Sequence, residues 1–269
     1  MSIVRKTASF VYTLDKEPIR NGYVEYDDVD GKIISVGECA PGEDVHPGAI
    51  VPGFVNAHCH IELSHLYKKF RKGTGMAGFI DQINALRDWA GRDVKEQLTL
   101  RWMDKMWNDG VSAMADISND DSSFEVKKAH RLYTRTFLEV FGSEPEMCEG
   151  VMKEVAELQT VADSAGIDAA PTPHSCYTMS PQLLSASAAK GLESGFLSYH
   201  SQESQEEEDL LVSGTGAMYE NRKRSGMSTP PVTGESSLKY FLDRLAAVKA
   251  APYDEHILLV HNVCLQQSD

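Results

Sequence analysis

From residue 51 onward, apolar runs of strand length alternate with amphipathic runs of helix length. This alternation is typical of βα units, whose strands build a parallel sheet. The predicted strands are 51–57, 111–117, 135–141, 167–173, 196–201 and 257–263. Six such units predict an α/β fold, a (β/α)8 TIM-type barrel of which about six units are present.

Apolar residues spaced three and four apart predict the helices between these strands. One helix is predicted over 79–90, a second between 145 and 166, and a third over 238–248. Ser180 followed by Pro181 is typical of an N-cap and first-turn proline, so a further helix is expected to begin there.

The N-terminal residues follow a different pattern, in which short stretches alternate between apolar and polar positions. Asp30-Gly31 separates two of them, and both residues tolerate the positive φ that a hairpin turn requires. We therefore expect a partial small β domain over 1–48, followed by the barrel over 49–269. The predicted strands of the small domain are 9–14, 22–26 and 32–36.

Residues 204–235 fit no simple βα unit. They open with an acidic run, Glu206 to Asp209, which we interpret as the solvated start of a helix, where negative charge is favourable. The remainder is expected to be a loop long enough to cover a site.

Composition excludes several classes of partner. The 269 residues include 40 acidic and 26 basic side chains, a net charge of −14, which disfavours nucleic acid and anionic membranes. Five cysteines without a Cys-x-x-Cys pair argue against disulfides or a thiolate zinc site. We expect a cytoplasmic protein that acts on a small-molecule substrate, and we leave a homo-oligomer open.

Histidines cluster at the predicted strand ends. In parallel barrels the functional residues collect at the C-terminal ends of the strands, and four of the six predicted ends carry histidine although the chain has only nine. Buried imidazoles need polar partners, so packing alone explains this poorly. A metal site is expected from this set: His58, His60, His174, His200 and His261.

Four segments in chain order resemble motifs of the amidohydrolase superfamily, in its nucleobase and nucleoside deaminase branch. Residues 60–64 and 137–142 also resemble aminodeoxyfutalosine deaminases, and the resemblance covers essentially the whole chain. The four segments are Pro52-Gly-Phe-Val-Asn-Ala-His-Cys-His60, Pro173-His-Ser-Cys-Tyr-Thr-Met-Ser-Pro181, His200-Ser-Gln-Glu-Ser204 and Leu259-Val-His-Asn262.

The resemblance implies that His58, His60 and His200 hold one divalent metal ion, with zinc preferred and iron as the alternative. Such an ion lowers the pKa of a bound water. His174 stands in the region where binuclear relatives place a carbamylated lysine, which favours a mononuclear site.

The resemblance also implies the catalytic roles. Glu203 would take the proton of the water and pass it to the leaving amine. His261 would orient or polarise the attacking oxygen, and His174 would contact the substrate.

Two further carboxylates have alternative roles that the sequence leaves equal. Glu62 and Glu139 either contact the substrate or orient a ligand histidine. Asp116 is expected to be structural, and Cys59 to point away from the metal because its neighbours on both sides point toward it.

The resemblance also implies a final aspartate ligand on an eighth strand, which this sequence does not reach. We therefore expect a piece of a longer enzyme, a metal-dependent hydrolytic deaminase acting on an adenine-type nucleoside derivative. The alternatives are a related amidohydrolase or chlorohydrolase acting on another N-heterocycle, or a truncated, non-catalytic metal-binding fragment.

Overall fold

A computed structural model describes residues 2–267 and residue 269. The chain divides into two compact units, the first ending at Phe54 and the second beginning at Val55. Within the described residues, no helix is both long enough and apolar enough to cross a membrane. The domain limit at residue 48 stays a prediction.

The first unit contains a four-stranded sheet in the order β3-β2-β1-β4. The β1–β2 and β2–β3 pairs are antiparallel, and β4 pairs with β1 in parallel. Gly31 has a φ of +71°, so the predicted Asp30-Gly31 turn is confirmed. The strands are β1 (Ile3–Val11), β2 (Ile19–Asp27), β3 (Ile33–Glu38) and β4 (Ala49–Ile50).

Parallel strands form the sheets of the second unit. One sheet has the order β5-β6-β7-β8, and β9 pairs in parallel with β10. The main-chain N–H of His200 donates to the carbonyl of His174 at 2.9 Å, which joins β9 to the end of β8. The predicted α/β fold, a partial TIM-type barrel, is confirmed. The strands are β5 (Phe54–Cys59), β6 (Val111–Ser118), β7 (Tyr133–Val140), β8 (Ala169–Pro173), β9 (Phe196–Ser201) and β10 (His256–His261).

Helices lie between these strands, and the predicted ones are found with shifted ends. Ser180 Oγ accepts the N–H of Leu183, so the predicted N-cap of α5 is confirmed. The helix over 92–108 was missed, because only Thr99 and Met103 of it are buried and its apolar spacing is weak. The helices are α1 (Gly75–Leu86), α2 (Arg92–Asn108), α3 (Phe124–Ala129), α4 (Cys148–Ala165), α5 (Pro181–Glu193), α6 (Gln205–Ser213), α7 (Gly216–Arg224) and α8 (Ser237–Val248).

The largest apolar core lies between β7–β9 and the helices α4, α5 and α8. Tyr199 of β9 stacks on Phe241 of α8, with ring centroids 3.7 Å apart and planes 10° from parallel. Helices packed on this face support the strands laterally and leave the C-terminal strand ends available for a site.

The interpretation of residues 204–235 is wrong in two respects. Most of its first half is helical, as α6 and α7, so the covering loop is shorter than expected. The acidic run does begin a helix, as predicted, but it is not a solvated face throughout, since Glu207 and Glu208 are 0% and 2% exposed. Composition misled here because buried carboxylates are stable when main-chain N–H groups and hydroxyls donate to them.

A buried ion pair links β6 to α3. Lys127 Nζ lies 2.6 Å from Asp116 Oδ2, and both side chains are at most 1% exposed. Ser118 and Thr136 accept further hydrogen bonds from the ammonium group. The pair is fully enclosed, so either charge left alone would be costly.

Replacing Lys127 by Met should therefore lower the free energy of unfolding by about 3–5 kcal/mol, because Asp116 would remain as an uncompensated buried charge. Urea unfolding measures the change. Lys105→Met is the matched control: the Lys105–Asp109 pair is more than half exposed, and its loss should cost at most about 0.5 kcal/mol. Equal effects of the two substitutions would contradict a structural role for the buried pair.

Candidate metal centre and active site

The C-terminal ends of β5, β8, β9 and β10 bring imidazole rings together in one cavity of about 490 Å³. Ring centroids of neighbouring histidines lie 4.6 to 5.8 Å apart. All the histidines expected from the strand ends line this cavity: His58, His60, His174, His200 and His261.

Three of these histidines have the geometry of a metal site. One ring nitrogen from each of His58, His60 and His200 lies within 4.8 Å of the others. His60 Nε2 and His200 Nε2 are 3.2 Å apart. Zn–N bonds of about 2.0–2.1 Å at tetrahedral angles place two nitrogens about 3.3 Å apart. The His60–His200 pair therefore has the spacing of two ligands of a tetrahedral divalent ion, and His58 lies near enough to supply a third.

Burial keeps these imidazoles neutral, which is the form that binds a metal. Desolvation, followed by the charge of His261, lowers the pKa of His58 to about 4. Desolvation and the neighbouring imidazoles lower the pKa of His60 to about 3 and that of His200 well below its ordinary value.

Glu139 lies between two of the histidines. Its Oε1 atom is 3.6 Å from His174 Nε2 and 3.7 Å from His200 Nδ1. No hydrogen-bond partner for this buried oxygen lies within the described residues. Because it both faces His200, a candidate metal ligand, and lines the cavity, Glu139 can orient His200 or contact a substrate, and the two roles are compatible.

Asn119 joins Glu139 to Glu62 and was not identified from the sequence. Its side-chain N–H groups donate to Glu62 Oε1 at 3.0 Å and to Glu139 Oε2 at 3.1 Å, and its main-chain N–H donates to Glu62 Oε2 at 2.8 Å. Burial raises the pKa of Glu62 to about 7 and that of Glu139 to about 8. The residue follows the C-terminal end of β6, and that position is the signal that could have revealed it.

Glu203 is held at both carboxylate oxygens. Tyr177 donates its hydroxyl to Oε2 at 2.8 Å, and His261 Nε2 lies 3.3 Å from Oε1. Tyr177 was also missed, although it belongs to the segment that carries His174. These contacts place a carboxylate of defined direction in the same cavity as the three candidate ligand histidines.

His174, the predicted substrate contact, is held in place by hydrogen bonds to its Nδ1 atom. Its Nδ1 atom lies 2.7 Å from Thr178 Oγ1 and 2.8 Å from Ser175 Oγ. The Nε2 atom is thus left facing Glu139 and the cavity. Cys59 Sγ lies 3.5 Å from Asp116 Oδ1, away from the imidazoles as expected.

Helix α1 supplies an apolar wall to the cavity through Phe79, Ile80 and Ile83. None of its residues is fully buried, although Met76 and Ile80 pack against the largest apolar core. Glu206 of α6 accepts the N–H groups of Met76 at 3.1 Å and Ala77 at 2.9 Å. This contact caps α1, whose own Thr74 makes no side-chain cap.

Solved structures share this architecture. A Helicobacter pylori aminofutalosine deaminase, in complex with methylthio-coformycin, is 20% identical, with a TM-score of 0.70 over 91% of this chain and 68% of that one. This chain therefore has the fold of that enzyme. No family model and no curated protein matches the sequence.

Two further structures extend the likeness. A guanine deaminase from C. acetobutylicum with bound guanine is 14% identical, with a TM-score of 0.68 over 99% of this chain and 64% of that one. An adenosine deaminase from Xanthomonas campestris with bound zinc is 17% identical, with a TM-score of 0.69 over 98% and 58%. The chain thus spans between 58% and 68% of the length of these three proteins.

Replacing any one of His58, His60 and His200 by Ala should remove most of the bound metal, because two remaining ligands hold a divalent ion poorly. Elemental analysis of the dialysed protein gives the metal content per chain. His256→Ala is the control, since this exposed residue lies at the opposite end of β10. Full metal content in all three variants would contradict the assigned site.

Metal binding should also resist acid. Protons begin to compete with a metal for ordinary histidines as the pH falls below their pKa of about 6.5. Here the pKa values of about 4 for His58 and about 3 for His60 keep the ligands neutral to lower pH. Equilibrium dialysis against buffers of decreasing pH should therefore show half-release well below pH 6.5. Half-release at that pH would show that the histidines are not desolvated.

Proposed function

We propose that this chain carries the active site of a metal-dependent hydrolytic deaminase that releases ammonia from an adenine-type nucleoside derivative. The observation that carries the proposal is the position of Glu203, held by Tyr177 and His261 in the cavity where three histidines converge. A carboxylate of fixed direction beside a hydrolytic metal site is suited to proton transfer.

His58, His60 and His200 would hold the ion. A divalent metal in such a site acidifies water and polarises the group under attack. Zinc is preferred because three neutral imidazoles with an open fourth position are typical of catalytic zinc. The bound zinc of the Xanthomonas campestris structure supports this choice, and iron is the alternative because imidazole also suits it.

The protein's own side chains would move the protons. Glu203 removes a proton from the attacking water and returns it to the leaving amine. His261, in contact with the same carboxylate, orients the attacking oxygen. His174 presents Nε2 to the ring being deaminated, and Tyr177 keeps the second oxygen of Glu203 in place.

The volume of the cavity is compatible with a nucleoside derivative. Pockets for ligands of moderate size measure roughly 300–1,000 Å³, and this one measures about 490 Å³. Glu62 and Glu139, joined by Asn119, offer acceptors for substrate donors, while α1 offers apolar contact to a second part of the molecule. A cytoplasmic location and a homo-oligomer stay predictions.

A panel of substrates tests this proposal with the metal-loaded protein. Adenosine, 5′-substituted adenosines and guanine are assayed for ammonia, and a chlorotriazine is assayed for chloride. We expect the highest kcat/KM for a 5′-substituted adenosine. Chloride release alone would favour a chlorohydrolase, and no turnover of any compound by the metal-loaded protein would favour a non-catalytic metal-binding fragment.

Replacing Glu203 by Gln should leave the metal content unchanged and lower kcat by about 10²–10⁴-fold, because the amide cannot accept the proton. Steady-state ammonia release measures the loss. Glu220→Gln is the control, since Glu220 is exposed on α7 and does not line the cavity. A Glu203 variant within a few-fold of the parent would show that this carboxylate does not transfer the proton.

A further inference from the structure

The backbone between His200 and Glu203 has an unusual conformation. Gln202 has a φ of +47° although it is not glycine, a left-handed conformation that is strained for a residue with a side chain. The turn lies directly after β9 and sets the direction in which Glu203 leaves the sheet. Such a turn persists only where surrounding contacts hold it.

Glu207 provides the contacts that hold this turn. Its Oε1 accepts the N–H of Gln202 at 3.2 Å, and its Oε2 accepts the N–H of Glu203 at 2.8 Å. The residue is 0% exposed, so water cannot substitute for either bond. Each carboxylate oxygen thus accepts a hydrogen bond from one of two consecutive residues, Gln202 and Glu203.

Ser204 and Glu207 form a modified helix-capping motif. Ser204 is the N-cap of α6, and its Oγ accepts the N–H of Glu207 at 3.3 Å. In an ordinary capping box, the glutamate at this position returns a bond to the N–H of the N-cap residue. Here Glu207 reaches past Ser204 to the two residues before it, so the same pair caps the helix and fixes the turn.

Glu207 also contacts the residue next to Tyr177, which holds the side chain of Glu203. Cys176 Sγ donates to Glu207 Oε1 at 3.3 Å, and Cys176 precedes Tyr177, whose hydroxyl binds Glu203. The carboxylate therefore connects the main chain of Glu203 with the segment that holds its side chain.

We propose that Glu207 is a positioning residue of the deamination reaction: its carboxylate fixes the main chain of Gln202 and Glu203 and so directs Glu203 toward the histidine cluster. This inference rests on the proposed function. Glu207 does not itself line the cavity, and it acts through Glu203, which does.

Glu207→Gln tests the inference, because an amide has one acceptor oxygen and leaves one of the two N–H groups without a partner. A misplacement of about 1 Å can cost on the order of 10²-fold in rate, so kcat should fall by about that factor. KM and metal content should stay within twofold of the parent. Assays are run well above pH 7, because burial raises the pKa of Glu207 to about 7.

Glu208→Gln is the matched control. Glu208 is the next residue of the same helix and is 2% exposed, but it accepts the N–H and hydroxyl of Ser237 at the start of α8. Both variants should lose thermal stability, whereas only Glu207→Gln should lose kcat. Equal kcat losses in the two variants would show a merely structural role for Glu207 and overturn the inference.

A second measurement does not depend on turnover. In the metal-loaded protein, amide hydrogen exchange at Gln202 and Glu203 should be faster in Glu207→Gln than in Glu208→Gln. Unchanged exchange overturns the positioning role even if the enzyme is active. Absence of turnover in the parent would contradict the proposed function. The exchange measurement would still test whether Glu207 fixes the turn.

Glu207→Asp covers the case in which the amide variant does not fold. The shorter side chain retains the charge but withdraws the oxygens from the turn, so kcat should lie between the values of the parent and Glu207→Gln. A Glu207→Asp protein with parental kcat and parental exchange would contradict the requirement for a carboxylate at this reach.

Discussion

The carboxylate of Asp116 determines where β5, the strand that carries the candidate ligands His58 and His60, ends. Its Oδ1 accepts the N–H of Ile61 at 2.7 Å, and its Oδ2 lies 2.6 Å from Lys127 Nζ. Ile61 follows His60 and opens a short 3₁₀ turn, so this bond fixes the point at which the chain leaves β5. The positions of His58 and His60 therefore depend on an ion pair that lies wholly inside the barrel.

Desolvation shifts the acids and bases of the site toward their neutral forms. It lowers the pKa of His174 to about 3 and raises that of Glu139 to about 8, and in both cases burial is the largest cause. A cation held by the neighbouring histidines would oppose the shift of the carboxylate and favour its ionised form. The same burial that prepares the imidazoles as ligands thus leaves Glu139 responsive to whether a metal is bound.

Local patterns in the sequence predicted the strands and the histidines at their ends, because strand periodicity and parallel-sheet geometry act over a few residues. Asn119 and Tyr177 escaped prediction, since their roles depend on partners 57 and 26 residues away. The acidic run of α6 was misjudged for the same reason. A carboxylate paired with a distant main-chain N–H looks identical in sequence to one that faces water.

Three consecutive residues of that run serve three different parts of the fold. Successive side chains of a helix point about 100° apart, so Glu206, Glu207 and Glu208 radiate from α6 in separate directions. Glu206 caps α1 of the cavity wall, Glu207 holds the turn before Glu203, and Glu208 binds the first residue of α8, Ser237. Because each carboxylate has its own backbone partners, neutralising them one at a time should separate the integrity of the cavity wall, the direction of Glu203 and the packing of the outer helix.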